Sequence, residues 1–221
     1  MKSLNLVTMA VIIGIAVVCS SCIIAITPII GNGIVVTSAR TVSSFEKIHI
    51  SGGAEVRFHE SQEYQAFVTV DSNLDEYVDV HVSGNVLNIG TKIGFTYSFT
   101  KLLVDVYCPT LTSVSVSGSG YFEGRDRIEC LSFSAKISGS GRINVTGNSV
   151  FSNIAISGSG SFYGDNFIVN TAVVSISGSG NAYVYVTNSL RADISGSGII
   201  NYRGNPRIDS TISGSGRIRK I

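Results

Sequence analysis

Three histidines, His49, His59 and His81, are the first residues of this chain that could act in catalysis or bind a metal. A metal site needs further histidines, cysteines or carboxylates at short spacing, and none stands at such a distance from these three. His49 and His81 each lie between apolar residues in an alternating pattern, so their side chains are expected to point outward from strands. We therefore predict surface histidines, no metal site and no cofactor.

Carboxylates would indicate a carbohydrate-active enzyme if they were clustered on one face, because glycoside hydrolases use paired acids. In the second half of the chain the acids stand at different positions of the sequence pattern, and their tightest group, residues 123–129, is typical of a solvated loop. Serines are abundant, but none has a histidine and an acid at a comparable position, as a nucleophilic triad requires. The prediction is a protein without catalytic residues.

Charge gives no sign of a nucleic-acid partner. The chain carries 16 lysines and arginines against 15 aspartates and glutamates, a formal net charge of +1. Domains that bind nucleic acid carry a clear basic surplus, since phosphate contacts dominate their affinity. We expect no nucleic-acid partner.

The tetrad Ser-Gly-Ser-Gly recurs six times, at steps of 18 to 21 residues. Apolar residues precede each tetrad at alternating positions, which is the period of a strand with one buried face. Neither a flexible linker nor a phosphate-binding loop recurs in this way. The tetrads begin at Ser117, Ser138, Ser157, Ser177, Ser195 and Ser213.

These repeats predict an all-β fold, a parallel β-solenoid with rungs of about 19 residues stacked at about 4.8 Å. Right-handed coiling is favoured by the chirality of parallel crossovers. Each tetrad is expected to form a corner with its glycines inside and its serines outside. Residues 34–107 repeat more loosely and are predicted to form an irregular N-terminal β part or cap, followed by the repeat solenoid over 108–221.

The outward serines have two interpretations. Serine is small and can satisfy nearby backbone groups, so the tetrads could serve the corner alone. Alternatively, two rows of hydroxyls could meet a regular polar surface such as a glycan. The central residues of that candidate binding face are Ser157, Ser159, Ser177, Ser179, Ser195 and Ser197.

Two cysteines of the domain could form a disulfide. Cys108 lies 9 residues before one tetrad and Cys130 lies 8 residues before the next, which predicts neighbouring positions on successive rungs. The rung spacing falls within the allowed Cα separation of a disulfide, and export would permit oxidation. Two buried free thiols are the alternative.

The N-terminus has the pattern of an export signal. Lys2 precedes an apolar run over residues 4–18, and the small residues Ser20 and Ser21 precede Cys22. We predict a signal peptide over 1–21, lipid attachment at Cys22 and an anchor-proximal linker over 22–33. An uncleaved membrane helix over 4–30 and plain cleaved export are the alternatives, and each places the domain outside the cytoplasm.

The segments "RTVSSFEKIHISGGAEVRF", "VDVHVSGNVLNIGTK" and "LLVDVYCPTLTSVSVSGSG" follow one another in an order that resembles the putative auto-transporter adhesin, head GIN domain family. The resemblance covers about residues 38–216. It implies an exported or lipid-anchored bacterial β-solenoid and supplies no catalytic residues.

These observations predict a non-enzymatic adhesion, binding or scaffold module of the cell envelope, anchored through lipid at the outer membrane or cell surface, with a glycan or a surface protein as its partner. The alternatives are a carbohydrate-active β-helix enzyme and a structural envelope protein without a specific ligand.

Overall fold

The computed structural model describes residues 27–221, which form strands joined by short turns and one 3-10 helix, Asp75–Tyr77. The strands in chain order are β1 (Ile29–Ile30), β2 (Val35–Arg40), β3 (Lys47–Gly52), β4 (Glu55–Glu60), β5 (Gln65–Asp71), β6 (Val78–Ser83), β7 (Val86–Thr91), β8 (Tyr97–Ser98), β9 (Leu102–Cys108), β10 (Ser113–Gly118), β11 (Tyr121–Gly139), β12 (Arg142–Gly158), β13 (Ser161–Gly178), β14 (Asn181–Gly196), β15 (Ile199–Arg203), β16 (Arg207–Gly214) and β17 (Arg217–Lys220).

The predicted parallel β-solenoid is confirmed. From β10 onward every strand pairs in parallel with the strand one repeat away. The first serine of each tetrad lies opposite the first serine of the next tetrad, and the row begins one rung earlier at Ser51. The in-register serines are Ser51, Ser117, Ser138, Ser157, Ser177, Ser195 and Ser213.

The tetrad is a corner, but its two glycines have different roles. The strand ends at the first glycine, which takes a positive φ, as at Gly158 with φ +114°. The second glycine, such as Gly160, is buried, and a β-carbon there would lie 2.5 Å from a methyl group of Ile137 on the preceding rung. The predicted corner is therefore present, but its first glycine is the residue at which the chain bends, and only the second glycine is fully buried.

One continuous apolar core fills the coil. The residue before the first serine is buried in the first five tetrads, as in Ile137, Ile156, Ile176 and Ile194, whereas Ile212 on the last rung is 44% exposed. Because like residues stack on like, each isoleucine packs on its equivalents one rung away, where branched side chains fit a pleated surface well. The core holds the outward rows at fixed spacing.

The N-terminal part is irregular in the way the sequence indicates, with antiparallel pairs that the repeat region lacks. β5 pairs in an antiparallel manner with both β2 and β9, and β6 pairs so with β7. Regular stacking nevertheless begins earlier than residue 108, because β3 and β4 already pair in register with β10 and β11. Within residues 27–221, no helix is long and apolar enough to span a bilayer.

Candidate binding surface

A shallow groove crosses the outer face of the strands that precede the tetrads. It has a volume of about 410 Å³ and runs along the solenoid axis, perpendicular to the strands. Two outward rows form its sides, and we call it the serine trough. Its sides are formed by Lys136, Ala155, Ser175, Asp193 and Thr211 on one row and by Ser157, Ser177, Ser195 and Ser213 on the other.

The dimensions of the serine trough follow from strand geometry. The two rows stand two residues apart along each strand, about 6.5–7 Å, and successive rungs are about 4.8 Å apart. The row from Lys136 to Thr211 crosses five rungs and is thus about 19 Å long. An extended polymer, such as a glycan or a peptide strand, fits the distance between the two rows and can lie along the full length of the groove.

The serine trough is nearly neutral. Lys136 and Asp193 are the charged residues among those that line it, and the Asp193 carboxylate already accepts a hydrogen bond from Arg191 Nε at 3.0 Å. The other side chains on its sides are small or carry hydroxyl groups. The groove is also lined by Ile137, Ile156, Ile176 and Ile194, and its accessible surface is mostly apolar carbon. The groove therefore offers a ligand close approach to carbon atoms, a few hydroxyl groups on its sides and little charge.

The structure separates the two serine rows of the candidate face. Ser157, Ser177 and Ser195 line the trough, whereas Ser159, Ser179 and Ser197 stand exposed at the bend. The positive φ of the intervening glycine turns the chain between the two rows, so they do not form one flat surface. Binding by either row stays a prediction.

A histidine between two carboxylates is the feature of the surface that most resembles a catalytic group. His59 Nε2 lies 3.2 Å from Asp105 Oδ1, and His59 Nδ1 lies 3.9 Å from Asp126 Oδ2. The ring stacks on Tyr107 with centroids 4.8 Å apart. Asp126 Oδ2 also accepts a hydrogen bond from the Glu60 backbone at 3.0 Å, so the cluster ties β4 to its neighbours.

No pattern in the sequence indicates this cluster, because Asp105 and Asp126 are 46 and 67 residues from His59 and only the pairing of β4 with β9 and β11 joins them. Within residues 27–221, no group of three or more histidines, cysteines and acids could hold a metal ion. His49 is partly exposed and His81 is exposed, each on a strand, as their alternation predicted.

The predicted disulfide between Cys108 and Cys130 is not formed, and both residues are free thiols. The reason lies in the topology. Cys108 ends β9, whose partners are β4 and β5, so it lies opposite Glu60 rather than on a rung beside Cys130. Burial raises the pKa of Cys108 to about 12 and that of Cys130 to about 11. The predicted lipid attachment at Cys22 and the signal peptide lie outside the described residues.

Similar proteins agree with this architecture. A putative adhesin from Bacteroides fragilis NCTC 9343 has a TM-score of 0.73 at 21% identity, over 87% of this chain and 100% of that chain. A putative lipid binding protein from Parabacteroides distasonis ATCC 8503 has a TM-score of 0.55 at 26% identity, over 88% and 100%. A putative adhesin from Parabacteroides merdae ATCC 43184 has a TM-score of 0.57 at 22% identity, over 87% and 98%.

No curated protein matches the chain. The family model described as putative auto-transporter adhesin, head GIN domain, matches residues 44–206. This range contains the in-register serines from Ser51 to Ser195. The chain belongs to the putative auto-transporter adhesin, head GIN domain family.

Proposed function

We propose that this protein is an exported, membrane-anchored binding module of the cell surface without enzymatic activity, and that its serine trough holds an extended, nearly neutral polymer such as a glycan chain. In this proposal, a lipid attached to Cys22 anchors the protein to the membrane. One observation carries the binding role: a nearly neutral, mostly apolar groove with hydroxyl groups along its sides crosses five rungs of one outer face. The family assignment supports a role at the cell surface.

The rigidity of the trough favours binding. On its first four rungs the inward neighbours, Ile137, Ile156, Ile176 and Ile194, are packed in the core, so the outward side chains beside them are held in place before a ligand arrives. A preorganised surface spends less free energy on ordering when it binds. A polymer with a regular repeat could place equivalent groups against successive rungs and gain from several weak contacts at once.

The experiment compares two tyrosines placed on the same rung. Ser177→Tyr fills the trough, whereas Ser179→Tyr places the same side chain beyond the corner. The wild-type protein and both variants are applied to an array of glycans and surface proteins, and circular dichroism checks their folding. We expect Ser177→Tyr to weaken binding about tenfold or more, which is about 1.4 kcal/mol, and Ser179→Tyr to bind as the wild type does. Equal binding by both variants would exclude the trough.

A further inference from the structure

Large apolar side chains are exposed where the described chain begins, close in sequence to the predicted anchor. Ile30 is 66% exposed, Phe95 is 55% exposed and Ile93, at the tip of the turn between β7 and β8, is 99% exposed. We call these three residues the anchor-side surface. Soluble proteins seldom place several such side chains together in water without a partner.

Backbone pairing places the strand that carries Ile30 beside the strand that follows Ile93 and Phe95. β1 pairs in parallel with β8, so that Ile30 lies opposite Ser98. The Ile29 N–H donates to the Thr96 carbonyl at 2.9 Å, and the Gly31 N–H donates to the Ser98 carbonyl at 2.8 Å. The chain that enters the domain after residue 26 therefore lies directly against the segment that carries Ile93 and Phe95.

A buried carboxylate fixes this arrangement. Asp71 is inaccessible to solvent, and its two oxygens accept hydrogen bonds from the Gly33 N–H at 2.9 Å and the Thr100 N–H at 2.8 Å. Asp71 thus ties the entering chain and the segment between β8 and β9 to the end of β5, and the Tyr97 hydroxyl holds the turn by donating to the Lys92 carbonyl at 3.0 Å. The anchor-side surface is preorganised, which lowers the cost of seating it against a partner.

The chemistry around these residues suits a lipid interface. Phe95 belongs to an aromatic cluster with Tyr77 and Tyr97, at ring distances of 5.9 and 6.3 Å. Aromatic rings with a polar edge are favoured at the boundary between headgroups and acyl chains. The segment 86–104 carries Lys92 and Lys101 and no acid, and the segment 27–39 carries no charge. Both lysines can approach anionic headgroups.

Chain length adds a constraint. Eight residues separate Cys22 from Ile30, and a fully extended chain spans at most about 3.6 Å per residue. A lipid on Cys22 would therefore hold Ile30 within about 29 Å of the bilayer surface. At that tether length, the exposed apolar side chains meet the membrane at a high local concentration.

We infer that the anchor-side surface seats in the interface of the phospholipid bilayer that holds the protein, with Ile93 and Phe95 inserted among the headgroups. This contact with the bilayer rests on the membrane anchor of the proposed function, because one small apolar surface binds a bilayer only weakly without a lipid anchor. It also orients the domain. Ser51 lines a groove beside the turn between β7 and β8. Ser195 lies five rungs further along the row of first tetrad serines, about 24 Å from Ser51. The serine trough is then presented away from the membrane.

The test uses the fact that the chain contains no tryptophan. Phe95→Trp places a single fluorophore on the anchor-side surface, and Phe151→Trp, at a position 38% exposed on β12, is the matched control. The full-length protein is reconstituted in vesicles of phosphatidylcholine and phosphatidylglycerol, with and without bromine on the acyl chains. We expect a blue-shifted emission and loss of intensity in brominated lipid for Phe95→Trp, and neither change for Phe151→Trp.

Flotation of the same vesicles separates the two proposals. Protein that floats with the vesicles while Phe95→Trp remains unquenched would show that the anchor holds and the seat is wrong. Protein that does not float would overturn both the anchor and the seat. Emission of Phe95→Trp that is already blue-shifted without lipid, in protein that sediments as a dimer, would assign the surface to a second copy of the chain and also overturn the seat.

Discussion

A β-carbon on Gly158 would lie 2.6 Å from the carbonyl oxygen of Gly139, one rung earlier in the stack. That oxygen already accepts a hydrogen bond from the Ser159 N–H at 2.9 Å, so it cannot move away without loss of the bond. Gly158 also has φ +114°, a conformation that other residues rarely adopt. The first glycine of each tetrad therefore combines a backbone requirement with a steric one.

Replacement of this glycine is expected to be more costly than replacement of its counterpart at the first corner. Gly52 has φ +89°, and a β-carbon there meets no atom within 4 Å, so Gly52→Ala introduces backbone strain alone. We expect Gly52→Ala to cost about 1–2 kcal/mol of unfolding free energy. Gly158→Ala should cost about 1–3 kcal/mol more, because it also overpacks the corner. Denaturant unfolding followed by circular dichroism measures both, and equal losses would contradict the steric part.

The sequence was sufficient to predict the solenoid because its signal is periodic and local. Each tetrad stands at an equivalent point of each rung, so the register of β10 to β16 follows once the tetrads are aligned. The tetrads were predicted to be corners, but alternation did not show that the bend lies at the first glycine, such as Gly158, since glycine is compatible with both an extended strand and a corner. The surroundings of Cys108 and His59 depend on β9 lying beside β4, a non-sequential pairing that no repeat marks.

Ser152 is expected to be a site where a smaller side chain stabilises the fold. Its hydroxyl is buried and has no hydrogen-bond partner within residues 27–221, and Ala172 occupies the equivalent position on the next rung. An unsatisfied buried hydroxyl costs about 1–3 kcal/mol. Ser152→Ala should therefore raise the free energy of unfolding by about 1 kcal/mol.

The control for this change is Ser149→Ala, because the Ser149 hydroxyl is also buried but donates to the Phe151 carbonyl at 3.1 Å. Its removal should destabilise the protein by about 1 kcal/mol. Thermal unfolding of the two variants beside the wild type gives the comparison. A loss of stability in Ser152→Ala equal to that in Ser149→Ala would contradict the assignment of an unsatisfied hydroxyl.

Cys108 and Cys130 are expected to be protonated and slow to react in the folded protein. Burial raises their pKa values to about 12 and about 11, and the thiolate is the reactive form. Alkylation at pH 8 followed by peptide mass spectrometry should therefore label neither residue appreciably in the native state. Both residues should be labelled after denaturation without reductant. Peptides that are labelled only after reduction would show a disulfide instead.

Processing of the N-terminus should remove residues 1–21 and leave a diacylated Cys22. Ser20 and Ser21 are small enough for the processing site, and two acyl chains hold a protein to a membrane where one does not. Mass spectrometry of the mature N-terminal peptide, with Cys22→Ser as the control, gives the result. An intact Met1 start would indicate an uncleaved anchor, and an unmodified terminus would indicate plain export.

The tie formed by Asp71 should make the N-terminal part sensitive to acid. Burial alone would raise the pKa of this carboxyl, but hydrogen bonds from Thr100, Gly33 and Lys101 outweigh it and hold the pKa below its usual value of 3.8. A folded-state pKa below the unfolded one means that the carboxylate stabilises the fold fully above about pH 4 and loses this effect as the pH falls through the lowered value. Hydrogen exchange can follow this loss at individual amides. After correction for the intrinsic exchange rate, the Gly33 and Thr100 amides should lose protection as the pH falls below 4. The Ser159 amide, which donates to the Gly139 carbonyl, should keep its protection. Asp71→Asn should remove the difference between pH 7 and pH 3 at the first two amides. If these amides stay protected in the wild type at acid pH while Ser159 does too, the carboxylate does not hold the entering chain and the segment between β8 and β9 in place.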